Sequence, residues 1–118
     1  MKFVCLGSAE GTPEQLKGEY KAAESFGETR LGEAHLFFRY FIKIRYLAYK
    51  EIVRAYLRQE SGESGEFLLM ESYLMVESAD GTLHKLRMER EVNVRNVLAK
   101  LENLRENIII GFDRPSQS

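Results

Sequence analysis

Apolar and polar residues alternate through the middle of the chain, where the pattern is most regular. The even-numbered positions are all apolar or aromatic, namely Leu36, Phe38, Tyr40, Ile42, Ile44 and Tyr46. The odd-numbered positions between them mix aromatic residues with cations, namely Phe37, Arg39, Phe41, Lys43 and Arg45. Because successive side chains of a strand point to opposite faces, this alternation predicts one long strand with one buried and one solvated face.

The alternation resumes at Ile52 and continues to Gln59. The connection between the two stretches, residues 47–51, is too short for a parallel crossover, so we expect the two strands to pair antiparallel. No Asn-Gly or Asp-Gly pair marks the turn, and the register therefore stays open. A single helix over Leu47–Arg58 is the alternative, because the residues of that stretch have adequate helix propensity.

Two segments carry helical signals instead of alternation. Thr12-Pro13-Glu14-Gln15 combines an N-cap residue, a proline at the first helical position and a capping-box glutamine, which predicts a helix from Pro13 to about Ser25. Near the other end of the chain, apolar residues recur at three- and four-residue steps, which predicts an amphipathic helix over residues 93–106. These apolar residues are Val94, Val97, Leu98, Leu101 and Leu104.

Strand signals fill most of the remaining chain. Phe67–Ser78 is apolar and alternating, Asp80-Gly81 is a hairpin-turn signature, and Leu83–Glu89 alternates again. Residues 29–89 are therefore expected to form antiparallel strands, and residues 113–118 a frayed tail. The sequence predicts a single α+β domain over residues 1–118: a strongly bent antiparallel sheet, a C-terminal helix packed on it, and an extra N-terminal helix.

The order of meandering strands followed by one amphipathic helix resembles the pleckstrin-homology-like (PH-like) superfamily, particularly small bacterial proteins with this superfold. The resemblance rests on the aromatic-rich turn Tyr46-Leu47-Ala48-Tyr49-Lys50-Glu51-Ile52-Val53, the Asp80-Gly81 hairpin and the helix Val94–Leu104. It implies a partly open barrel and a binding or scaffolding module in place of an enzyme. The chain departs from the pattern in having fewer predicted strands and in its N-terminal helix.

Composition narrows the function classes further. The 118 residues are 44% hydrophobic and 30% charged, and the net charge of −1 provides no global field for nucleic acid or anionic membranes, although a local patch stays possible. No run approaches the roughly 20 apolar residues of a spanning helix, so membrane insertion is not expected. The apolar start of the chain ends at Gly7, short of the roughly 7–15 residues of a signal core, and we therefore expect a cytoplasmic protein.

The residues capable of catalysis or metal binding are sparse. His35 and His84 are far apart and have no metal-ligand spacing, and Cys5, the single cysteine, sits in an apolar run that favours a buried thiol. No glycine-rich phosphate loop appears, and Asp80-Gly81 belongs to turn chemistry and not to a calcium loop. We therefore assign no catalytic residue, metal or cofactor, and an enzyme using His35 or His84 is the least favoured alternative.

Two sets of residues are candidate contact surfaces. The first set lies on the strand faces opposite the predicted core and contains Phe37, Phe41, Tyr56, Tyr73 and Met75. These residues either form an exposed interface, which would allow a homodimer, or are covered by the N-terminal helix.

The second set is basic and contains Lys43, Arg45, Arg54, Arg58, Lys85 and Arg87. It is either an anion-binding patch or a solvated sheet face balanced by nearby glutamates.

The leading hypothesis is a non-enzymatic interaction or scaffolding module that binds protein, self or other, through an aromatic sheet face or a sheet edge. The alternative is a small-ligand or anionic-ligand binding domain that uses the sheet–helix cleft or the basic face.

Overall fold

The computed structural model describes residues 2–64, 67–104 and 106–112, with side chains except those of residues 62–69 and 112. The predicted frayed tail, 113–118, lies outside these residues. Two helices and nine strands follow one another as β1 (Lys2–Cys5), α1 (Pro13–Ala22), β2 (Glu24–Phe26), β3 (Thr29–Leu31), β4 (His35–Tyr40), β5 (Lys43–Ala48), β6 (Ile52–Ser64), β7 (Phe67–Ser78), β8 (Leu83–Met88), α2 (Glu91–Glu102) and β9 (Ile109–Phe112).

The described strands form two sheets, which confirms the α+β class. The five-stranded sheet has the order β1-β5-β4-β3-β2, and the four-stranded sheet has the order β8-β7-β6-β9. Most neighbouring strands are antiparallel, but β1 pairs parallel with β5 and β9 pairs parallel with β6. No single bent sheet and no closed barrel is present in the described part of the chain.

The stretch predicted as one strand over Leu36–Tyr46 is a β-hairpin, so that prediction was wrong. The chain reverses at Phe41 and Ile42, and Tyr40 pairs with Lys43. Two apolar residues at the turn keep the alternation unbroken in sequence, which hides the reversal. The reversal also exchanges the two faces. Phe37 pairs with Tyr46 and Arg39 pairs with Ile44, so Phe37 shares its face with Tyr46 and Ile44.

The antiparallel pair predicted between this region and Ile52–Gln59 was also wrong. A single 3-10 turn at Tyr49–Glu51 carries the chain from β5 in one sheet to β6 in the other, so these two strands are not partners. β6 instead pairs with β7, with a register shift between Ile52 and Arg54. The alternative helix over Leu47–Arg58 does not form either.

The main core lies between the two sheets and α2. Leu36 and Phe38 of β4 meet Leu74 and Val76 of β7 in this cluster. One face of α2 completes it with the buried residues Val94, Val97 and Leu101. This helix begins at Glu91, two residues before the predicted start, and Arg90 occupies the N-cap position without a side-chain capping bond.

A second, smaller core lies on the opposite face of the five-stranded sheet. Leu16 and Tyr20 of α1 pack there on Phe37, Ile44 and Tyr46. Thr12 accepts the backbone N–H of Gln15, as its predicted capping role requires. The helix ends at Ala22, short of the predicted Ser25, because Ala23 has extended backbone angles and β2 begins at Glu24. The five-stranded sheet is therefore covered on both faces.

Candidate functional site

The turn between β4 and β5 exposes three large apolar side chains in succession. Phe41 is 77% exposed, Ile42 75% and Tyr40 56%. The rings of Tyr40 and Phe41 meet edge to face, with centroids 4.5 Å apart. We call these three residues the β4–β5 tip. The alternation pattern predicted Phe41 as a contact residue. It assigned Tyr40 and Ile42 to the core face, because it gave no sign of the reversal.

Phe41 has an unusual backbone conformation. Its φ of 57° is the only positive φ of a non-glycine residue in the described chain. A two-residue hairpin turn of this kind normally carries glycine or asparagine at such a position, because a Cβ crowds the backbone there. Because the Phe41 side chain is exposed, burial of its ring does not offset this backbone strain. Strain of this kind concentrates at functional sites, which makes the tip a candidate contact surface.

Cations flank the β4–β5 tip on both strands and on the neighbouring strand. Arg39 and Lys43 border the turn, and Lys2 of β1 pairs with Lys43. All three side chains are exposed. Among the described residues, no carboxylate lies within 4.0 Å of their charged nitrogens. The tip therefore combines an apolar end with a basic collar.

The other four residues of the predicted aromatic surface lie elsewhere. Phe37 is buried beneath α1, with its ring centroid 5.3 Å from that of Tyr20. Tyr56 and Met75 are buried on the four-stranded sheet. Tyr73 is partly buried, and its hydroxyl donates to Glu71, which raises its pKa above the ordinary value. The five residues thus do not form one exposed face.

The predicted basic patch is also divided. Lys43 and Arg45 lie in the five-stranded sheet, whereas Arg54, Arg58, Lys85 and Arg87 lie in the four-stranded sheet. Carboxylates face most of the second group, in the pairs Arg54–Glu77 (3.3 Å), Lys85–Glu60 (2.8 Å) and Arg87–Glu71 (3.3 Å). Arg54 and Arg58 also stack near the ring of Tyr56. The cations of this sheet face are largely neutralised within the protein.

His84 lies in β8, close to the hairpin turn that follows β7. Its Nε2 lies 3.2 Å from the Oγ of Ser78, and this hydroxyl donates to the carboxylate of Asp80. That bond and the backbone N–H of Thr82 lower the pKa of Asp80 to about 2, whereas burial lowers the pKa of His84. A nucleophilic serine would direct its proton to the histidine, but here it donates to the carboxylate. This arrangement stabilises the turn and does not activate Ser78.

His35 lies beside a carboxylate that sequence analysis did not connect with it. Its Nδ1 is 2.8 Å from Oε1 of Glu19, and both side chains are 16% exposed. The pair lines a cleft of about 790 Å³ between α1 and the residues that precede β4. Ala34 donates its backbone N–H to the same carboxylate, which fixes the position of Glu19. No local motif indicates this pair, because α1 and β4 meet only in the folded chain.

The remaining candidate chemistry is structural in character. Cys5 is partly buried, and its thiol donates to the carbonyl of Gly7 at 3.2 Å. Within the part of the chain that the structure describes, no three His, Cys, Asp or Glu side chains are grouped so as to hold a metal ion. None of the described helices is long and apolar enough to cross a bilayer.

The chain belongs to the DUF6709 family, described as a domain of unknown function, whose model matches residues 2–118. No curated protein and no solved structure matches the chain at a significant level. The assignment of function therefore depends on the geometry of the chain itself.

Proposed function

We propose that this DUF6709 domain is a non-enzymatic interaction module of the cytoplasm that contacts its partner through the β4–β5 tip. The observation that carries the proposal is the exposure of Phe41 in a strained turn. A side chain kept in such a conformation without burial is best explained by a contact made outside the chain.

The neighbouring packing supports a rigid presentation of the tip. β4 and β5 share six paired positions, and both faces of their sheet are covered, by α1 and by the main core. Arg39 donates from Nε to the carbonyl oxygen of Phe41 at 3.1 Å, which braces the turn. A contact surface held by a rigid scaffold loses little conformational entropy on binding.

Photo-crosslinking from the tip tests the proposal. The substitution Phe41→p-benzoylphenylalanine places a reactive ketone at the tip, and the same substitution at Val92 of α2 is the matched control, since Val92 is also an exposed apolar residue. In irradiated cells, position 41 is expected to give a discrete adduct, with protein or with lipid, that position 92 does not give. Equal patterns from both positions, or no adduct from either, would overturn the proposal.

A second copy of this chain is one partner to test first. Light scattering at low and high salt, on the wild type and on Phe41→Gly, measures self-association directly. A dimer that persists at high salt in the wild type and is lost in the variant would mean that the tips of two copies pack together. A dimer that persists in the variant would assign self-association to a different surface.

The cleft beside His35 favours a second candidate function, the binding of a small ligand. Its lining contains carboxylates, glycines and the imidazole of His35, which lies against Glu19. Ligand-binding clefts commonly contain a few polar groups in fixed positions, as Glu19 and His35 are here. Screening of small amines and amides by NMR tests this function: a ligand should shift the imidazole signals of His35 and leave those of His84 unchanged.

We also propose that the fold is related to the PH-like superfamily. In support, β6, β7 and β8 form an antiparallel meander that leads directly into the C-terminal helix α2. The chain differs in the parallel strands β1 and β9 and in α1 on the outer face of the first sheet. An experimental structure compared with members of that superfamily would test the relationship: the meander and α2 should superpose, and the parallel strands should be additions.

A further inference from the structure

We infer that the β4–β5 tip docks on an anionic lipid surface, with Phe41 and Ile42 entering the interface and the basic collar facing the lipid phosphates. The inference rests on the proposed function and names the partner of that surface. It concerns peripheral contact by a hairpin turn and involves no membrane-spanning segment.

The first argument is the chemistry of the three tip residues. Phe41 and Ile42 are fully apolar, and both are more than two-thirds exposed. Tyr40, with an apolar ring and a polar hydroxyl, suits the boundary between headgroups and acyl chains, where tyrosine is enriched. Transfer of two such side chains out of water is favourable, and a hairpin end can insert them without disturbing the sheet behind.

The second argument is that both carbonyl oxygens of the turn already have hydrogen-bond partners. The carbonyl oxygen of Phe41 accepts from Nε of Arg39, and that of Ile42 accepts from the backbone N–H of Lys2 at 3.4 Å. Backbone groups without partners are costly at the edge of a bilayer, because the hydrocarbon offers no hydrogen bonds. Both carbonyls that would approach the lipid therefore have partners within the protein.

The third argument is charge complementarity beside the tip. Lys2, Arg39 and Lys43 have no carboxylate partner among the described residues, in contrast to the paired cations of the four-stranded sheet. The nearby Glu28 directs its carboxylate to the backbone N–H of Glu89 and not to Arg39. Because the net charge is −1, attraction to anionic lipid depends on this local collar and on the orientation of the tip.

A tryptophan reporter gives the sharpest test, because the chain contains no tryptophan. The probe is a vesicle of phosphatidylcholine alone or of phosphatidylcholine and phosphatidylglycerol in equal parts. Phe41→Trp is expected to show a blue-shifted emission, and quenching by brominated acyl chains, only with the anionic vesicles. Val92→Trp on α2 is the control and should show neither change.

Co-sedimentation with the same vesicles tests the two components separately. Phe41→Gly should lower the partition coefficient by more than about ten-fold, because it removes an inserted aromatic ring. Lys43→Ser should lower it about five-fold, the effect of one cation near an anionic surface, and added salt should weaken the wild type. Circular dichroism confirms that each variant is folded.

The outcomes separate this inference from the proposed function. If neither vesicle binds, or if Phe41→Gly binds as well as the wild type, lipid docking is overturned. In that case, a protein adduct specific to position 41 would leave the proposed function standing with a protein partner. If, in addition, position 41 gives no specific adduct, both the lipid-docking inference and the proposed function are overturned.

Discussion

The Nδ1 atom of His35 lies 2.8 Å from Oε1 of Glu19, and Oε2 of the same carboxylate accepts the backbone N–H of His35, also at 2.8 Å. A third bond comes from the backbone N–H of Ala34 at 2.7 Å. One carboxylate of α1 thus holds the start of β4 and the residue before it. These bonds position the cleft and join the N-terminal helix to the sheet.

Removal of this carboxylate should weaken the attachment of α1. We expect Glu19→Ala to lower the free energy of unfolding by about 2 kcal/mol, because three donors lose a partly buried acceptor. Urea denaturation measures the change, and Lys17→Ala, an exposed position on the same helix, is the control with an expected change within about 0.5 kcal/mol. Equal stability of the two variants would show that the carboxylate contributes little.

Gly18 should be a site where stability can be gained. It lies inside α1, and a Cβ built on it meets no atom within 4 Å. Gly18→Ala is therefore expected to raise the free energy of unfolding by about 1 kcal/mol, the difference in helix propensity. Gly32→Ala is the contrasting variant, because its Cβ would collide with the side chain of Glu19 and should destabilise the protein. A loss of stability in Gly18→Ala would contradict the prediction.

The strained turn should respond in opposite ways to glycine at its two positions. Phe41→Gly is expected to raise stability by about 0.5–1 kcal/mol, because glycine tolerates the positive φ and little buried area is lost. Ile42→Gly should lower it slightly, since Ile42 has no positive φ to relieve and glycine adds freedom to the unfolded chain. Thermal melts of both variants check the pair, and destabilisation by Phe41→Gly would mean that the turn carries no strain.

Burial of His84 should make stability depend on mildly acidic pH. Its pKa is lowered in the folded state, so the unfolded chain binds the proton more readily, and stability should fall as the pH drops below the ordinary value of 6.5. Asp80 and Glu51 also have lowered pKa values, but their contributions are lost only near and below about 4.5, the ordinary range of carboxyl groups.

Urea midpoints measured between about pH 7.5 and pH 5 test this dependence in a window set by the ordinary histidine pKa. His84→Gln is the comparison variant, because glutamine retains hydrogen-bonding capacity without a charge change in this range. As the pH falls, the urea midpoint should decrease less in the variant than in the wild type. Parallel curves would assign the pH dependence to other groups.

Local rules predicted the parts of the fold that depend on nearby residues. Thr12 caps α1 because its hydroxyl reaches the N–H of a residue three positions later. The Asp80-Gly81 turn forms because Gly81 supplies a positive φ of 89°. In contrast, the turn at Phe41 lacks the residues that usually signal a reversal, and its apolar neighbours continue the strand pattern through it.

The candidate site was predictable only in part for the same reason. Phe41 was identified as a possible contact residue, but the exposure of Ile42 depends on a reversal that no local signal marks. The six basic residues alternate with apolar residues within their own strands, yet the 3-10 turn at Tyr49–Glu51 places these strands in two sheets. Charge pairing across strands, such as Lys85 with Glu60, then distinguishes neutralised cations from those beside the tip.

The sequence by itself determined the α+β class, the two amphipathic helices and the Asp80-Gly81 hairpin, since hydrophobic period, capping and turn chemistry act within a few residues. The tertiary structure alone decided that the chain divides into two sheets, that α1 covers Phe37, and that Glu19 meets His35. Strand pairing and helix docking join residues far apart in the chain. Their choice depends on the total area buried and on all polar groups being satisfied at once, which no local pattern encodes.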